Sequence, residues 1–535
     1  LITKKKIDMK RNSLKYILMT GLIAGSLTSC TKKLNLLPTN DVTAEQVYSS
    51  PEGYKQAFAK VYAAYALTGN TGPAGNGDVQ GIDEGTSDFF RLYWCAEELP
   101  TDEAVVGWGD VGLPDFHSMT WSSSNLFLTG LYYRCMYQVT LANDFIRQSS
   151  DAKLSSRGIT GADADKVHQY VAEARFLRAY QYSILMDLFG NPPFVTESDA
   201  LGGALPKQIT RKDLFSYIES ELKAIDAGLA DARGNEYGRA DKAAAWALLA
   251  RIYLNAEVYT GTAHYADAVT YSKKVIDAGY TLVSDYTKLM RADNNLNKNE
   301  FILTINYDGL HTQSYGGATF MTHAPVGGSM PAADYGISGG WAGLRTTKAF
   351  VNLFPGGASS ADKRAQFYTD GQNIDINTIS TFTDGYAISK FKDVKIDGGA
   401  PQSLDYADMD LPIFRLAEQY LIYAEATTRG GGGDAALALS YVNKLRARAY
   451  QSATTGQLTA LTTDLLLDER GRELYWEGFR RTDLIRYKKF VEDTYLWPFK
   501  GGSKDGKGVE SYRTVYPLPS ADVTANPNLK QNTGY

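Results

Sequence analysis

The chain has 535 residues with a formal net charge of -5, and 36 of those residues are Tyr and 50 are Gly. That length allows a large core and more than one domain. No basic block or stripe stands out, which excludes the usual electrostatic footprint of a nucleic-acid binder. Tyr brings apolar area with a hydroxyl, and so suits both packed helices and flat polar ligands.

The first element is a targeting segment. Met9-Lys10-Arg11 opens it, the apolar run from Tyr16 to Leu27 follows, and Leu27-Thr28-Ser29-Cys30 closes it. The run is too short for an ordinary membrane span, and the closing motif matches a bacterial lipobox. The chemistry implied is acylation of the Cys30 thiol, cleavage before Cys30 and acylation of the new amino group. Several acyl chains anchor firmly where one binds only marginally. Residues 1–8 precede a plausible start and read as upstream non-native sequence, 9–29 as signal peptide, 30–49 as lipidated tether and 50–535 as the body. Removing residues 1–29 takes away six Lys or Arg and one Asp, which leaves a net charge of -10.

In the body, Pro51 starts a helix whose stripe is Tyr54, Ala57, Val61 and Ala64. Leu67 to Gly85 reads as a loop, Phe89 to Trp121 as irregular aromatic chain, and Leu126 to Ile146 as a helix. The stretch Val167 to Val195 reads as one long helix with a hard stop. Val167, Tyr170, Val171, Ala174, Leu177, Ile184 and Leu188 make one apolar stripe, while Phe176, Tyr180, Tyr182, Leu185 and Met186 fall off it. A helix apolar on several sides packs between neighbours. Gly190 ends it and Pro192-Pro193 cannot continue it.

Trp246-x2-Leu249-Ala250-x2-Tyr253 fits the first helix of a tetratricopeptide repeat, and Tyr265, Ala268, Ser272 and Ile276 supply the second. A second helical pair runs from Phe414 to Thr427 and from Ala435 to Tyr450. Leu465 to Phe490 adds further helix. Phe301 to Asn306 reads as a short strand, and a long Gly-rich aromatic region follows it. The expected fold is mostly all-α: a tetratricopeptide-like scaffold with large irregular loops and a few short strands.

Catalytic signatures are missing from the sequence. The five His, at 117, 168, 264, 311 and 323, have no paired ligand spacing, and His168 reads as a packed or surface residue. Gly501-x4-Gly506-Lys507 is followed by Gly508 where a phosphate-binding loop has Ser or Thr. Glu469, Glu473 and Glu477 lie one turn apart among arginines and read as ion-paired structure. Cys95 and Cys135 read as buried thiols, with a disulfide between them as the alternative. A hydrolase would need paired carboxylates, and the adjacency of Asp83 and Glu84 does not supply that geometry.

Trp108 lies between Gly107 and Gly109, and Trp341 lies between Gly339-Gly340 and Ala342-Gly343. Gly flanks make helix or strand unfavourable and leave the indole face open. Each Trp is either a loop anchor or a stacking platform. The aromatics Tyr315, Phe320 and Tyr335, with Asp83 and Arg91, fit the platform reading. Sugars offer C–H faces to rings and hydroxyl pairs to Asp and Arg. Asp408-x-Asp410 and Asp293-Asn294-Asn295 could supply oxygen ligands for calcium, or be solvated loop acids.

The body resembles the SusD/RagB family of outer-membrane nutrient-binding lipoproteins over nearly its whole length. The segments that carry this are AEARFLRAYQYSILMDLFGNPPF (172–194), GRADKAAAWALLARIYLNAEVYTG (238–261), DLPIFRLAEQYLIYAEA (410–426), DERGRELYWEGFRRTDLIRY (468–487) and YPLPSADVTANPNLKQNTGY (516–535). The resemblance implies a helical scaffold with a loop-built glycan site, no enzyme activity, and an N-terminal part over about 50–235 ahead of a C-terminal part over about 236–535. It also implies a SusC-like TonB-dependent transporter as partner.

The segments GIDEGTSDFFR, ELPTDEAVVGW, YDGLHTQSYGG and GGW are similar to the starch-binding branch. They place Asp83, Arg91, Trp108, Tyr315 and Trp341 on α-glucan-contacting positions. Val106 stands where that branch has an aromatic, Val111 where it has Asn, and Gly340 where it has Asn. The same branch implies a structural calcium at Asn295, Asp408 and Asp410. Thr31-Lys32-Lys33 lacks the acidic export signal, so exterior display rests on the family. The competing reading is a partner-binding lid that takes another glycan, such as dextran or fructan, or none.

Overall fold

Helix periodicity locates the longest element, and chain breakers end it. The computed structural model describes residues 43–535 except 74, 76 and 201. The signal peptide, Cys30 and the tether as far as residue 42 lie outside the described residues. Lys55–Tyr535 forms one compact unit, and the chain before it belongs to a second.

In chain order, the elements that bear on the site begin with helices α1 (Pro51–Ala66) and α2 (Phe89–Glu98) and the short strand β1 (Val105–Val106). Helices α3 (Leu126–Gln148), α4 (Ala162–Phe189), α5 (Arg211–Ala224), α6 (Lys242–Leu254) and α7 (Tyr265–Asp277) follow. Strand β2 (Phe301–Ile305), helix α8 (Gly317–His323), and strands β3 (Leu344–Arg345) and β4 (Leu411–Arg415) come next. Helices α9 (Leu416–Thr428), α10 (Ala435–Tyr450), α11 (Thr463–Leu474) and α12 (Arg480–Arg486) close the set.

The protein is mostly α, and its described strands pair only in twos. Helix α4 packs between α3 and α5, which explains why it is apolar on more than one side. Phe176, Tyr182, Leu185 and Met186 are all fully buried. Gly190 follows the helix at φ 70°, a left-handed conformation that glycine adopts without steric cost. Helix α6 packs on α7, α7 on α9, and α9 on α10, so the two hairpins stack as repeat units although a long loop region separates them in sequence. Ala250 and Ala268 are completely buried where the paired helices approach. Among the described residues no helix is long and apolar enough to cross a membrane.

The structure departs from the sequence reading in three places. Phe89 to Glu98 is helical, capped by Asp88, whose side chain accepts the Arg91 N–H. Phe414 and Arg415 belong to β4, which pairs antiparallel with β2, and the following helix starts at Leu416. The stretch from Leu465 to Phe490 is broken at Tyr475–Phe479, where Trp476 and Gly478 take positive φ of 62° and 85°. The break is held by buried carboxylates: Glu103 accepts the Trp476 N–H at 2.9 Å, and Glu98 accepts those of Gly478 and Phe479 at 2.6 and 3.0 Å. These bonds link positions nearly 400 residues apart, beyond the reach of local pattern.

The Glu469, Glu473 and Glu477 series is a buried ion network. Glu469 meets Arg364, Arg446 and Arg472; Glu473 meets Arg364, Arg415 and Arg448; Glu477 meets Lys390 and Arg415. Burial alone would raise these carboxyls, but the surrounding guanidiniums outweigh it and hold Glu469 and Glu473 at about 2. Cys95 and Cys135 are both free and buried.

Candidate functional site

Pairing of β1 with β3 sets Val105 opposite Arg345 and Val106 opposite Leu344. The Gly107 N–H donates to the Gly343 carbonyl at 2.8 Å. This short ladder lays the Trp108 loop beside the Trp341 loop, from opposite ends of a 230-residue separation. Gly343 is required there: a Cβ would lie 2.2 Å from Cε2 of Trp108. Trp108 is both anchor and surface. Its Nε1 donates to the Trp341 carbonyl at 3.2 Å, while the ring remains half-buried. Trp341 tilts over His323 at 5.0 Å, and burial lowers the His323 pKa.

Tyr315, 40% exposed, precedes α8 and extends the row. The ring centroids of Trp108 and Trp341 are 6.3 Å apart at 48°, and those of Trp341 and Tyr315 are 6.4 Å apart at 59°. The three rings form a row in which each is tilted against its neighbour. Arg91 supports the arc: its Nη1 donates to the Tyr315 carbonyl at 3.2 Å, and its guanidinium lies 4.9 Å from the Phe320 ring and 5.9 Å from Trp108. Arg91 Nε is buried and has no hydrogen-bond partner within the protein.

Asp83 is exposed at the same edge. One of its oxygens accepts from Thr86 N–H and Oγ1, both at 3.1 Å, which fixes the turn into α2. That turn meets the arc closely, since a Cβ on Gly85 would lie 2.7 Å from the Tyr315 Cβ. Asp88 ties the two segments together by accepting the Arg91 and Gly317 N–H groups, each at 2.8 Å. Glu84 is buried with neither carboxyl oxygen hydrogen-bonded. Burial, then the charges of Asp83 and Asp88, push its carboxyl up to about 7.

The structure therefore brings Asp83, Arg91, Trp108, Tyr315 and Trp341 together at one surface. Two aromatics named with them are not on that surface. Phe320 is 1% exposed and lies beneath Arg91; Tyr335 is buried in a separate small core with Val326, Met330 and Ile337. Val106 is buried in β1, and Val111 is 78% exposed on the Trp108 loop. Tyr406 and His323 were not legible in the sequence. Tyr406 stands in a loop of Ser and Asp with no glycine flank, and only the fold carries it next to Tyr315.

The calcium expectation meets a different arrangement. Asn295 is exposed, whereas Asn294 holds the Asp410 backbone through Nδ2 and Oδ1 at 2.8 and 2.9 Å. The Asp410 carboxylate accepts from the Tyr307 N–H and the Tyr237 hydroxyl, both at 2.8 Å. Asp408 accepts from the Gly309 and Gln402 N–H groups. Among the described residues no group of three His, Cys, Asp or Glu side chains is arranged to hold a metal ion. The two aspartates as folded tie loops together.

Comparison with known proteins establishes the class. Residues 356–535 match the SusD family, and residues 117–254 match the family described as starch-binding associating with outer membrane. The chain belongs to the SusD family of non-catalytic, carbohydrate-binding proteins. Among its relatives, it is 36% identical to the starch-binding protein SusD of Bacteroides thetaiotaomicron, covering 98% of this chain and 100% of that one.

The fold is shared with solved structures. Surface glycan-binding protein A from Bacteroides fluxus superposes with a TM-score of 0.69 at 22% identity, covering 91% of this chain and 100% of that one. Surface glycan-binding protein A from Bacteroides thetaiotaomicron, solved in complex with laminarihexaose, superposes at 0.65 with 20% identity, covering 90% and 99%.

Proposed function

We propose that this protein captures α-glucan oligosaccharide, of the starch or malto-oligosaccharide type, at the arc of Trp108, Trp341 and Tyr315. Asp83 and Arg91 serve the sugar hydroxyls. The observation that carries the reading is the tilt between neighbouring rings, 48° for Trp108 with Trp341 and 59° for Trp341 with Tyr315. A flat chain stacks on parallel rings, whereas a chain that curves presents each sugar face at a new angle. The arc matches the second. Its edge holds an acceptor in the exposed Asp83 and a donor group in the half-buried Arg91 guanidinium. The 36% identity to a starch-binding protein supports the same ligand class.

In this reading, acyl chains on Cys30 hold the body at the outer membrane, facing the cell exterior, and the captured sugar passes to a SusC-like TonB-dependent transporter. The lipobox and the family described as associating with outer membrane support this placement. Affinity gel electrophoresis on starch, dextran, levan and laminarin tests the proposal. Retardation by starch that is abolished in Trp108→Ala plus Trp341→Ala is expected. Retardation by none of the α-glucans, or retardation unchanged in the double variant, refutes it.

A further inference from the structure

The arc does not stop at Tyr315. The Tyr406 ring lies 5.5 Å from Tyr315 at 45°, closer than either earlier step and turned by a similar angle. The two hydroxyls meet at 3.2 Å, a bond that fixes the Tyr406 ring against the exposed Tyr315. The turn that presents Tyr406 is held from several sides. Ser403 Oγ accepts the Asp405 and Tyr406 N–H groups at 3.2 Å each, and the Ala407 N–H donates to Thr319 Oγ1 on α8 at 3.1 Å. The Ser338 N–H donates to the Leu404 carbonyl at 2.8 Å, joining this turn to the loop that carries Trp341. A half-buried ring on a braced loop has little freedom left to lose when a sugar stacks on it.

We propose that Tyr406 forms a further sugar subsite, so that the platform is a four-ring arc and grips one more sugar residue than Trp108, Trp341 and Tyr315 provide. The inference rests on the α-glucan reading above and adds chain-length selectivity to it. A short oligosaccharide is held by the first three rings, and a longer one extends its next residue over Tyr406.

The test is isothermal titration of the detergent-solubilised mature protein, from Cys30 onward, with maltotriose and with maltoheptaose. Tyr406→Ala is expected to weaken maltoheptaose by about threefold to tenfold, the worth of one aromatic contact, and to leave maltotriose unchanged. Tyr406→Phe keeps the ring and is expected to retain the wild-type length preference, which separates stacking from the hydroxyl bond. Weakening of both sugars equally in Tyr406→Ala would show that the ring only braces Tyr315, and overturns the subsite. So does unchanged affinity for maltoheptaose. A wild-type protein that binds neither sugar overturns the α-glucan reading and the subsite with it, and is distinguished by failure before any substitution is made.

Discussion

Gly343→Ala probes the arc without touching any group that would meet a sugar. The added Cβ would sit 2.2 and 2.3 Å from Cε2 and Cζ2 of Trp108 and 2.8 Å from its Nε1. Comfortable carbon contact is about 3.5–4.0 Å, so the indole must retreat by more than about 1 Å. Gly343 does not take a positive φ, so the backbone itself accepts alanine. The strain therefore falls on Trp108 and on its bond to the Trp341 carbonyl. Overpacking of this kind costs about 1–3 kcal/mol, small enough for a chain of this size to remain folded. Loss of one aromatic platform worth about 1.5 kcal/mol corresponds to roughly tenfold weaker binding.

Titration with maltoheptaose, beside thermal melting, reads both effects. Gly339→Ala is the control, because a Cβ there meets nothing within 4 Å. It is expected to bind as the wild type does. A Gly343→Ala protein that binds maltoheptaose with wild-type affinity would refute the assignment of Trp108 to the site.

Two predictions concern stability. Glu473→Ala leaves Arg364, Arg415 and Arg448 short of a counter-charge inside a fully buried network, and urea denaturation is expected to show a loss of about 3–5 kcal/mol. A loss under about 1 kcal/mol would show that the network redistributes its charge freely. Because the Glu473 carboxyl lies at about 2 in the fold against 4.5 for the free group, its contribution is present above pH 4.5 and is lost as pH falls toward 2. Asp88 runs the other way: burial, partly offset by its N–H donors, raises it from 3.8 to about 6. Its contribution is present below 3.8 and is lost as pH rises through 6. Asp88→Asn keeps an acceptor for the Arg91 and Gly317 N–H groups, so it is expected to gain up to about 3 kcal/mol relative to wild type at pH 8 and nothing at pH 3. Equal effects at the two pH values, read by urea denaturation, would show that the carboxyl is not the group that titrates.

Much of the scaffold was written locally. Helix α4 follows from an apolar repeat and a Gly-Pro stop, and the repeat hairpins follow from small residues at helical spacing. These signals span neighbours in sequence, and a single chain displays them. The break at Tyr475–Phe479 follows no such rule. Its N–H groups are satisfied by Glu98 and Glu103, and without those partners the residues read as uninterrupted helix.

The site divides in the same way. Glycines around Trp108 and Trp341 marked both as exposed loop aromatics, because glycine next to an indole leaves its face open and resists regular structure. Asp83, Arg91 and Tyr315 were named beside them together with Phe320 and Tyr335, and the resemblance singled out the first three. What the sequence could not determine was that β1 pairs with β3 and so sets one Trp beside the other, that Gly343 lies under Trp108, or that Tyr406 stands 5.5 Å beyond Tyr315. Residue type and flanking glycine are properties of a stretch of chain. The angle between two rings from distant loops is set by every element packed between them, and only the tertiary structure decides it.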